Sequence, residues 1–424
     1  MCLSEEIHIP GSEMRVETEL SNLKVLIFSE MFPKPKSSSS GVFIVERLKA
    51  LTALGVPFDF APVSTFDNFP IRLVKKLKGY SPSESLKSVN LNEKKYPVLN
   101  VSLGLRDRIG LIRQEANSWV KYARGMATAI EKNKKIQEFR LLHAHRVFPE
   151  GYAAMLLSEK HSIPYIVTAH GGEIHSISNN NKAFVKEVLE KAAKVIFVSK
   201  ALMKDACEKL SYDKSNGIVI PNGVDTSVFK PMDKEEARKK LSLPLDKKIV
   251  GFVGNLIEVK GADRLPAIAR ELIKLRSDAF FLIVGDGPLM NTLGECMPTD
   301  ITRFKGRVEY QLMPMVMNSI DVLVVPSRQE GFGTVILEAR ACGARVLGTN
   351  VGGIPEAIGD ERLLSSNSED LLEELAQRIS WIISDELDFD NVSHCVSSYD
   401  WHEIAGKERD IYEEIIGDIN KSHR

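Results

Sequence analysis

The sequence predicts an α/β protein built as two Rossmann-like, doubly wound domains facing a central cleft. Three observations lead there. The chain has 424 residues, more than one hydrophobic core usually serves. Short apolar runs alternate with helical patterns, as in parallel sheets wrapped by helices. A turn-rich stretch, SNGIVIPNGVD at 215–225, divides the runs into two series.

In the first series the predicted strands are KVLIFSE (24–30), FRLLHAH (139–145), PYIVTAH (164–170) and AKVIFVS (193–199). Apolar spacing at 43–54 and 150–161 predicts helices between them. The second series repeats the scheme with KKIVGFVGNL (247–256), AFFLIVGDG (279–287), DVLVVPS (321–327) and ARVLGTN (344–350). Most runs end in polar, Gly or His residues, and the carboxyl ends of strands are where open α/β sheets bind ligands.

Composition narrows the function. With 43% hydrophobic and 27% charged residues the chain is ordinary globular material. Its 56 basic and 57 acidic side chains leave a net charge of −1, so no whole-protein field favours nucleic acid. There is no secretory signal and no long uncharged apolar run. Both absences predict a cytoplasmic protein, free or at the inner face of the membrane. The five cysteines are scattered without a CxxC pair, which predicts buried thiols rather than a metal site or disulfides. Residues 1–21 read as a loosely ordered extension. Between 71 and 95 there are seven basic and two acidic residues, a local excess of five. The amphipathic part, IRLVKKLKGY at 71–80, is either a solvated helix face or a peripheral contact with anionic lipid or an anionic acceptor.

The chemistry concentrates in PSRQEGFGTVILEARACGARVLGTNVGGIPEAI, 326–358. It leaves a buried strand, passes Gly331 and Gly333, and enters a helix bearing Glu338. Glycines there admit a ligand close to the backbone, and the first helical amides, at Thr334 and Val335, face any phosphate as unpaired donors. Glu330 precedes the loop and Glu338 lies about one turn inside the helix. One carboxylate can accept hydrogen bonds from sugar hydroxyls while the other reaches a ribose, with phosphate between them.

This segment resembles the E-x7-E signature of the retaining glycosyltransferases of family 4, which have the GT-B fold. Further stretches resemble the family in the same order: SSGVFIVERLKALTALG (39–55), HAHRVFPEGYAA (143–154), VTAHGGEIH (167–175), VIPNGVDTSVF (219–229), VGNLIEVKG (253–261), VGDGP (284–288) and SYDWHEIAGKERDIYEEI (398–415). The resemblance covers nearly all of the chain from about residue 22. FPKPKSSSSGVF and HAHRVFPEG are similar to the branch acting in cell-wall and extracellular polysaccharide synthesis, such as teichuronic-acid-type transferases.

The resemblance implies an acceptor-side domain of 22–216 plus 402–424, the last part a closing helix that crosses back, and a nucleotide-sugar domain of 217–401. It implies that Glu338 holds the donor ribose, that Glu330 meets donor-sugar hydroxyls and that Lys260 neutralises the diphosphate. Amides near Phe332 and Gly333 would contact the sugar, and Val308 would lie by the base. Gly41 would pass its backbone beside the phosphates, and His170 would reach the donor sugar near the reacting carbon. His145 and Glu150 are candidates for shaping the acceptor side, with packing or surface roles as the alternative.

Two positions depart from the family pattern. Asn255, counted with the donor-binding residues, stands where many members have arginine, so Lys260 and the helix-end amides must stabilise more of the leaving charge. Ser40-Gly41 stands where many have Gly-Gly.

The implied reaction is transfer with retention from a nucleotide-diphosphate sugar, with uridine diphosphate as the expected carrier, to a carbohydrate or lipid-linked acceptor. No cofactor or metal is expected, because the one Asp-x-Asp string, Asp388-Phe389-Asp390, follows no buried strand. Two alternatives stay open: a nucleotide-sugar epimerase on the same fold, and a non-catalytic nucleotide-sugar-binding protein.

Overall fold

The computed structural model describes residues 24–34, 41–66, 86–366, 370–384 and 396–422. The extension at 1–21, the basic segment 71–80, Ser40 and the string Asp388-Phe389-Asp390 lie outside the described residues.

Two parallel sheets organise the chain. In the first, β1 (Val25–Ser29), β2 (Phe58–Phe66), β5 (Leu99–Ser102), β6 (Leu141–His145), β7 (Tyr165–Ala169), β8 (Lys194–Phe197) and β9 (Gly217–Val219) lie in the order β5-β2-β1-β6-β7-β8-β9. A hairpin of β3 (Ser88–Leu91) and β4 (Lys94–Pro97) stands apart. The second sheet holds β10 (Lys248–Val253), β11 (Ala279–Val284), β12 (Thr302–Gly306), β13 (Val322–Val325), β14 (Arg345–Thr349) and β15 (Leu364–Ser365) in the order β12-β11-β10-β13-β14-β15. These are the two Rossmann-like sheets that the resemblance implies.

Strands β1, β6 and β7 are buried at every position, because helices cover both faces of the sheet. The period of two sorts their side chains. Leu26 and Phe28 join the larger core, whereas Val25 and Ile27 join a second one. In that second core they meet Ile44, Leu48 and Leu51 of the helix Val42–Ala53. The closing helix, Trp401–Ser422, packs beside it through Ile404, Tyr412 and Ile415. Residues from the far end of the chain thus cover one face of the first sheet.

The chain crosses between the sheets twice, and the crossings lie side by side. Val224 N–H donates to the Tyr399 carbonyl at 2.9 Å and Trp401 N–H to the Val224 carbonyl at 3.1 Å. A Cβ at Gly223 would lie 2.7 Å from the Trp401 ring, so the second crossing packs directly on the Pro-Asn-Gly turn.

Several expectations are adjusted. Gly217–Val219 pairs with β8, so the first sheet runs past the expected division between 216 and 217. The helix expected at 150–161 runs Tyr152–His161 and is preceded by a single wide turn, Val147–Gly151. Strands β2 and β12 lay outside the predicted runs: Asp59 and Pro62 interrupt the first, and Arg303 and Lys305 alternate through the second. Of the three described cysteines only Cys342 is buried; Cys207 is partly exposed and Cys296 exposed.

Candidate active site

The carboxyl ends of both sheets border one cleft of about 410 Å³. Gly41, His170, Asn255, Lys260, Val308, Glu330, Gly333, Thr334, Val335 and Glu338 all line it. Topology explains the gathering. His170 follows β7, Asn255 follows β10, Val308 follows β12, and the Glu330 loop follows β13.

Three expected residues do not line the cleft. Phe332 is 3% exposed, its ring packed on Tyr399 with centroids 5.7 Å apart. Glu150 is fully buried, accepting from Arg146 Nε at 2.9 Å and from the Glu30 amide at 3.1 Å. His145 is fully buried behind His170, with Nδ1 at 3.2 Å from His170 Nε2. For Glu150 and His145 the packing alternative describes the contacts, since neither carries a group that reaches the cleft wall.

On the second-domain wall, Lys260 Nζ donates to Glu330 Oε2 at 2.6 Å, and both are partly buried. Gly333 caps the helix Thr334–Ala341, whose first amides therefore open toward the cleft. Burial pushes the Glu338 carboxyl up to about 7, and the charge of Glu46 adds to the rise.

On the first-domain wall, Gly41 has φ of 72° at the start of the helix Val42–Ala53. A Cβ there would stand 2.5 Å from the Phe32 nitrogen, so only glycine fits. The two walls meet where the Gly331 loop approaches the first domain. A Cβ on Gly331 would lie 2.1 Å from the His170 carbonyl oxygen, and Ser199 Oγ donates to the Gly331 carbonyl at 2.8 Å. Glu356, from the second domain, accepts from the amides of Lys200 and Ala201 at 2.9 and 3.0 Å, capping a first-domain helix.

Sequence reasoning missed several neighbours. Glu46, Asn222, Asp286, Arg307 and Tyr310 also line the cleft, with Arg307 Nε 3.3 Å from Asp286. Arg307 immediately precedes Val308, so its place was there to be read. A larger omission lies just behind the wall. Arg47 is fully buried and donates to Glu408 of the closing helix at 2.5 Å and to Asn222 at 3.2 Å. Glu408 also accepts from the Tyr412 hydroxyl at 2.5 Å. His143 bridges Tyr412, at 2.7 Å, and Thr168, at 2.8 Å. Burial raises the Glu408 carboxyl, yet Arg47 and His143 outweigh that and hold it down at about 2. The signal was one charge of opposite sign on the apolar stripe of each of two helices. Among the described residues, His143, His145 and Glu408 cluster closely enough to hold a metal ion, but both nitrogens of His143 already have protein partners.

Residues 102–228 match Glycosyltransferase Family 4, and residues 233–395 match Glycosyl transferases group 1. The putative teichuronic acid biosynthesis glycosyltransferase TuaC of Bacillus subtilis is 30% identical over 357 residues, covering 81% of this chain and 85% of its own. The chain belongs to glycosyltransferase family 4. Solved structures share the fold of this glycosyltransferase. Sucrose-phosphate synthase from Thermosynechococcus elongatus superposes with a TM-score of 0.72 at 19% identity, over 93% of this chain and 99% of that one. HepE from Anabaena, in complex with UDP and glucose, gives 0.64 at 17% identity, over 92% and 99%. The cleft described above is therefore the candidate active site of a GT-B enzyme.

Proposed function

We propose that this glycosyltransferase moves a sugar, with retention and without a metal or other cofactor, from a UDP-sugar to a hydroxyl of a lipid-linked or polysaccharide acceptor. The observation that carries the reading is the convergence of Lys260, Glu330, Glu338 and an open helix start on one cleft wall. A diphosphate between Lys260 and the amides of Thr334 and Val335 meets a cation and unpaired donors. Glu338 then accepts from the ribose. A diphosphate that takes over Lys260 leaves Glu330 to accept from sugar hydroxyls.

In the proposed step the bond from the anomeric carbon to the diphosphate oxygen breaks and the acceptor oxygen bonds to the same face. The acceptor proton passes to the departing phosphate oxygen. Lys260 and the helix amides stabilise the charge that develops on the diphosphate, the role usually supplied by preorganised donors. With Asn255 in place of an arginine, this load rests on fewer groups.

A lipid-linked acceptor has support in the first domain. The helix Leu105–Ile112 follows the edge strand β5 at the carboxyl side of the sheet. Leu105, Ile109 and Ile112 are 47%, 41% and 83% exposed at helical spacing, flanked by exposed Arg106 and Arg113. An apolar stripe between two arginines suits the headgroup boundary of an anionic bilayer. This helix offers a second place for peripheral membrane contact beside the expected one at 71–80, which lies outside the described residues. Among the described residues no helix is long and apolar enough to cross a membrane.

The test is turnover of UDP-, GDP- and ADP-sugars with lipid-linked and free saccharide acceptors, with product anomers read by NMR and activity repeated in EDTA. Transfer with retained configuration, undiminished by EDTA, supports the reading. Conversion of a nucleotide-sugar to its epimer without acceptor would make the enzyme an epimerase. Binding without any turnover would make it a sugar-nucleotide receptor.

A further inference from the structure

The helix Lys200–Leu210 follows β8 of the first sheet. The first amides of any helix have no acceptor within it. Ser199 satisfies two of them locally: its Oγ accepts from the Leu202 amide at 3.1 Å and its carbonyl from the Met203 amide at 3.2 Å. The other two, of Lys200 and Ala201, donate to Oε2 and Oε1 of Glu356 at 2.9 and 3.0 Å. Glu356 belongs to the second domain, on the short helix Ile354–Ile358. A carboxylate suits that place, because a helix start carries partial positive charge.

The same residues grip the loop that begins at Glu330. Ser199 Oγ donates to the Gly331 carbonyl at 2.8 Å, and a Cβ on Gly331 would fall 2.1 Å from the His170 carbonyl oxygen. From the other side, the Gly353 amide donates to the Glu330 carbonyl at 3.1 Å. Cβ atoms on Gly352 and Gly353 would stand 2.0 Å from the Glu330 oxygen and 2.3 Å from the Gly331 oxygen, so these turns lie in direct contact. The Tyr399 hydroxyl donates to the Glu356 carbonyl at 3.2 Å, and its ring packs on Phe332. The loop is thus clamped between Ser199 of the first domain and the Gly352-Gly353 turn that leads into Glu356. Glu356 is partly exposed and Lys200 exposed, both outside the two apolar cores, so their contact can open while the cores stay intact.

We propose that Glu356 is a positioning residue: by capping the first-domain helix it holds the two walls together and, with Ser199, fixes the Glu330 loop against His170 for sugar transfer. This rests on the reading that a nucleotide-sugar fills the cleft. The consequence is a division of labour. Most expected partners of UDP, among them Lys260, Val308, Thr334, Val335 and Glu338, lie on the second-domain wall and keep their places when the contact opens. The sugar end, between Glu330 and His170, does not.

Hydrogen exchange reads the contact in the full chain without ligand. Opening amides of a helix are ordinarily unprotected, so slow exchange at Lys200 and Ala201 reports Glu356. Residue-resolved exchange there should be at least ~10-fold faster in Glu356→Ala than in wild type, with a melting temperature within about 3 °C. UDP-glucose turnover should fall at least ~10-fold in that variant, while affinity for UDP stays within ~3-fold. Glu356→Gln, which keeps one acceptor oxygen, should show the same split at smaller size. Ser199→Gly leaves a tolerable helix start but removes the donor to Gly331, and should also lower turnover more than UDP affinity. Equal exchange rates in wild type and Glu356→Ala overturn the proposal, as do turnover within ~3-fold of wild type in Glu356→Ala or parallel losses of turnover and UDP affinity. Should Glu356→Ala not fold, Glu356→Gln carries the same measurements. An enzyme that turns over no nucleotide-sugar refutes the proposed function, while exchange at Lys200 and Ala201 still reports the contact.

Discussion

The two walls of the cleft are built differently. On the second-domain wall, Glu330, Gly333, Thr334, Val335 and Glu338 come from nine consecutive positions, and Lys260 joins them from one neighbouring loop. On the first-domain wall, His170 rests on His145 from another strand. The helix bearing Glu46 is held through Arg47 by Glu408, from the closing helix 361 positions away. One wall is a local motif presented by a strand–loop–helix turn. The other depends on parts that only folding brings together. Damage to the first should therefore alter ligand binding and turnover in a stable protein, and damage to the second should alter stability first.

The largest expected effect tests that contrast at its far end. Glu408→Ala strands a fully buried Arg47, so denaturant unfolding should show a loss of about 3–5 kcal/mol. The Glu408 carboxyl is held near 2, below its unfolded value, so its stabilising contribution is present above the unfolded pKa and disappears as pH falls from about 4.5 toward 2. Wild type should lose stability over that window and Glu408→Gln should lose less. Identical acid profiles would break the comparison.

Next in size is Lys260→Ala, expected to lower turnover by ~100-fold or more through lost stabilisation of the departing diphosphate. Its melting temperature should stay near wild type, because Lys260 is partly exposed and its ion pair, with Glu330 on the same wall, borders the cleft. Near-wild-type turnover would remove Lys260 from its role.

Glu338 gives a pH signature. Its carboxyl, pushed up to about 7, keeps its proton in the free enzyme below that pH, and ribose hydroxyls need the ionised form as acceptor. Affinity for UDP-glucose should therefore rise about tenfold from pH 6 to 8, with proton release on binding, and Glu338→Gln should bind weakly at both. The sugar nucleotide is the right probe because its diphosphate has no ionisation in this range. For stability the sign is opposite: a raised carboxylate makes the free enzyme less stable as pH climbs from about 4.5 through 7.

The smallest effect sharpens the second wall. Glu330→Gln releases Lys260 from its 2.6 Å partner, so UDP should bind about two- to fivefold tighter while sugar transfer falls. Weaker UDP binding would mean that Glu330 helps rather than competes at the phosphate.

What could be read in advance follows the same division. The apolar runs ending in NL, GDG, PS and TAH placed Asn255, Gly285, Ser327 and His170 at the strand ends that border the cleft. Strand β2 escaped because Asp59 and Pro62 weaken its pattern; Asp59 is offset by Lys134 at 2.7 Å, a partner 75 positions away. The burial of the Phe332 ring follows from Tyr399 of the second crossing, which packs on it from 67 positions away. Arg47 is one charge in a helical pattern, and Glu408, Asn222 and Trp401 surround it only once the chain is folded.

By itself the sequence determined the α/β class, the two-sheet plan and the glycine-flanked acid pair, because strand period, turn chemistry and helix starts are set by near neighbours along the chain. Tertiary structure alone decided the pairing of Lys260 with Glu330, the crowding of Glu338 by Glu46 and the contact of His145 with His170. Hydrogen-bond geometry, desolvation and charge act through space over a few ångströms, and the residues concerned are tens to hundreds of positions apart.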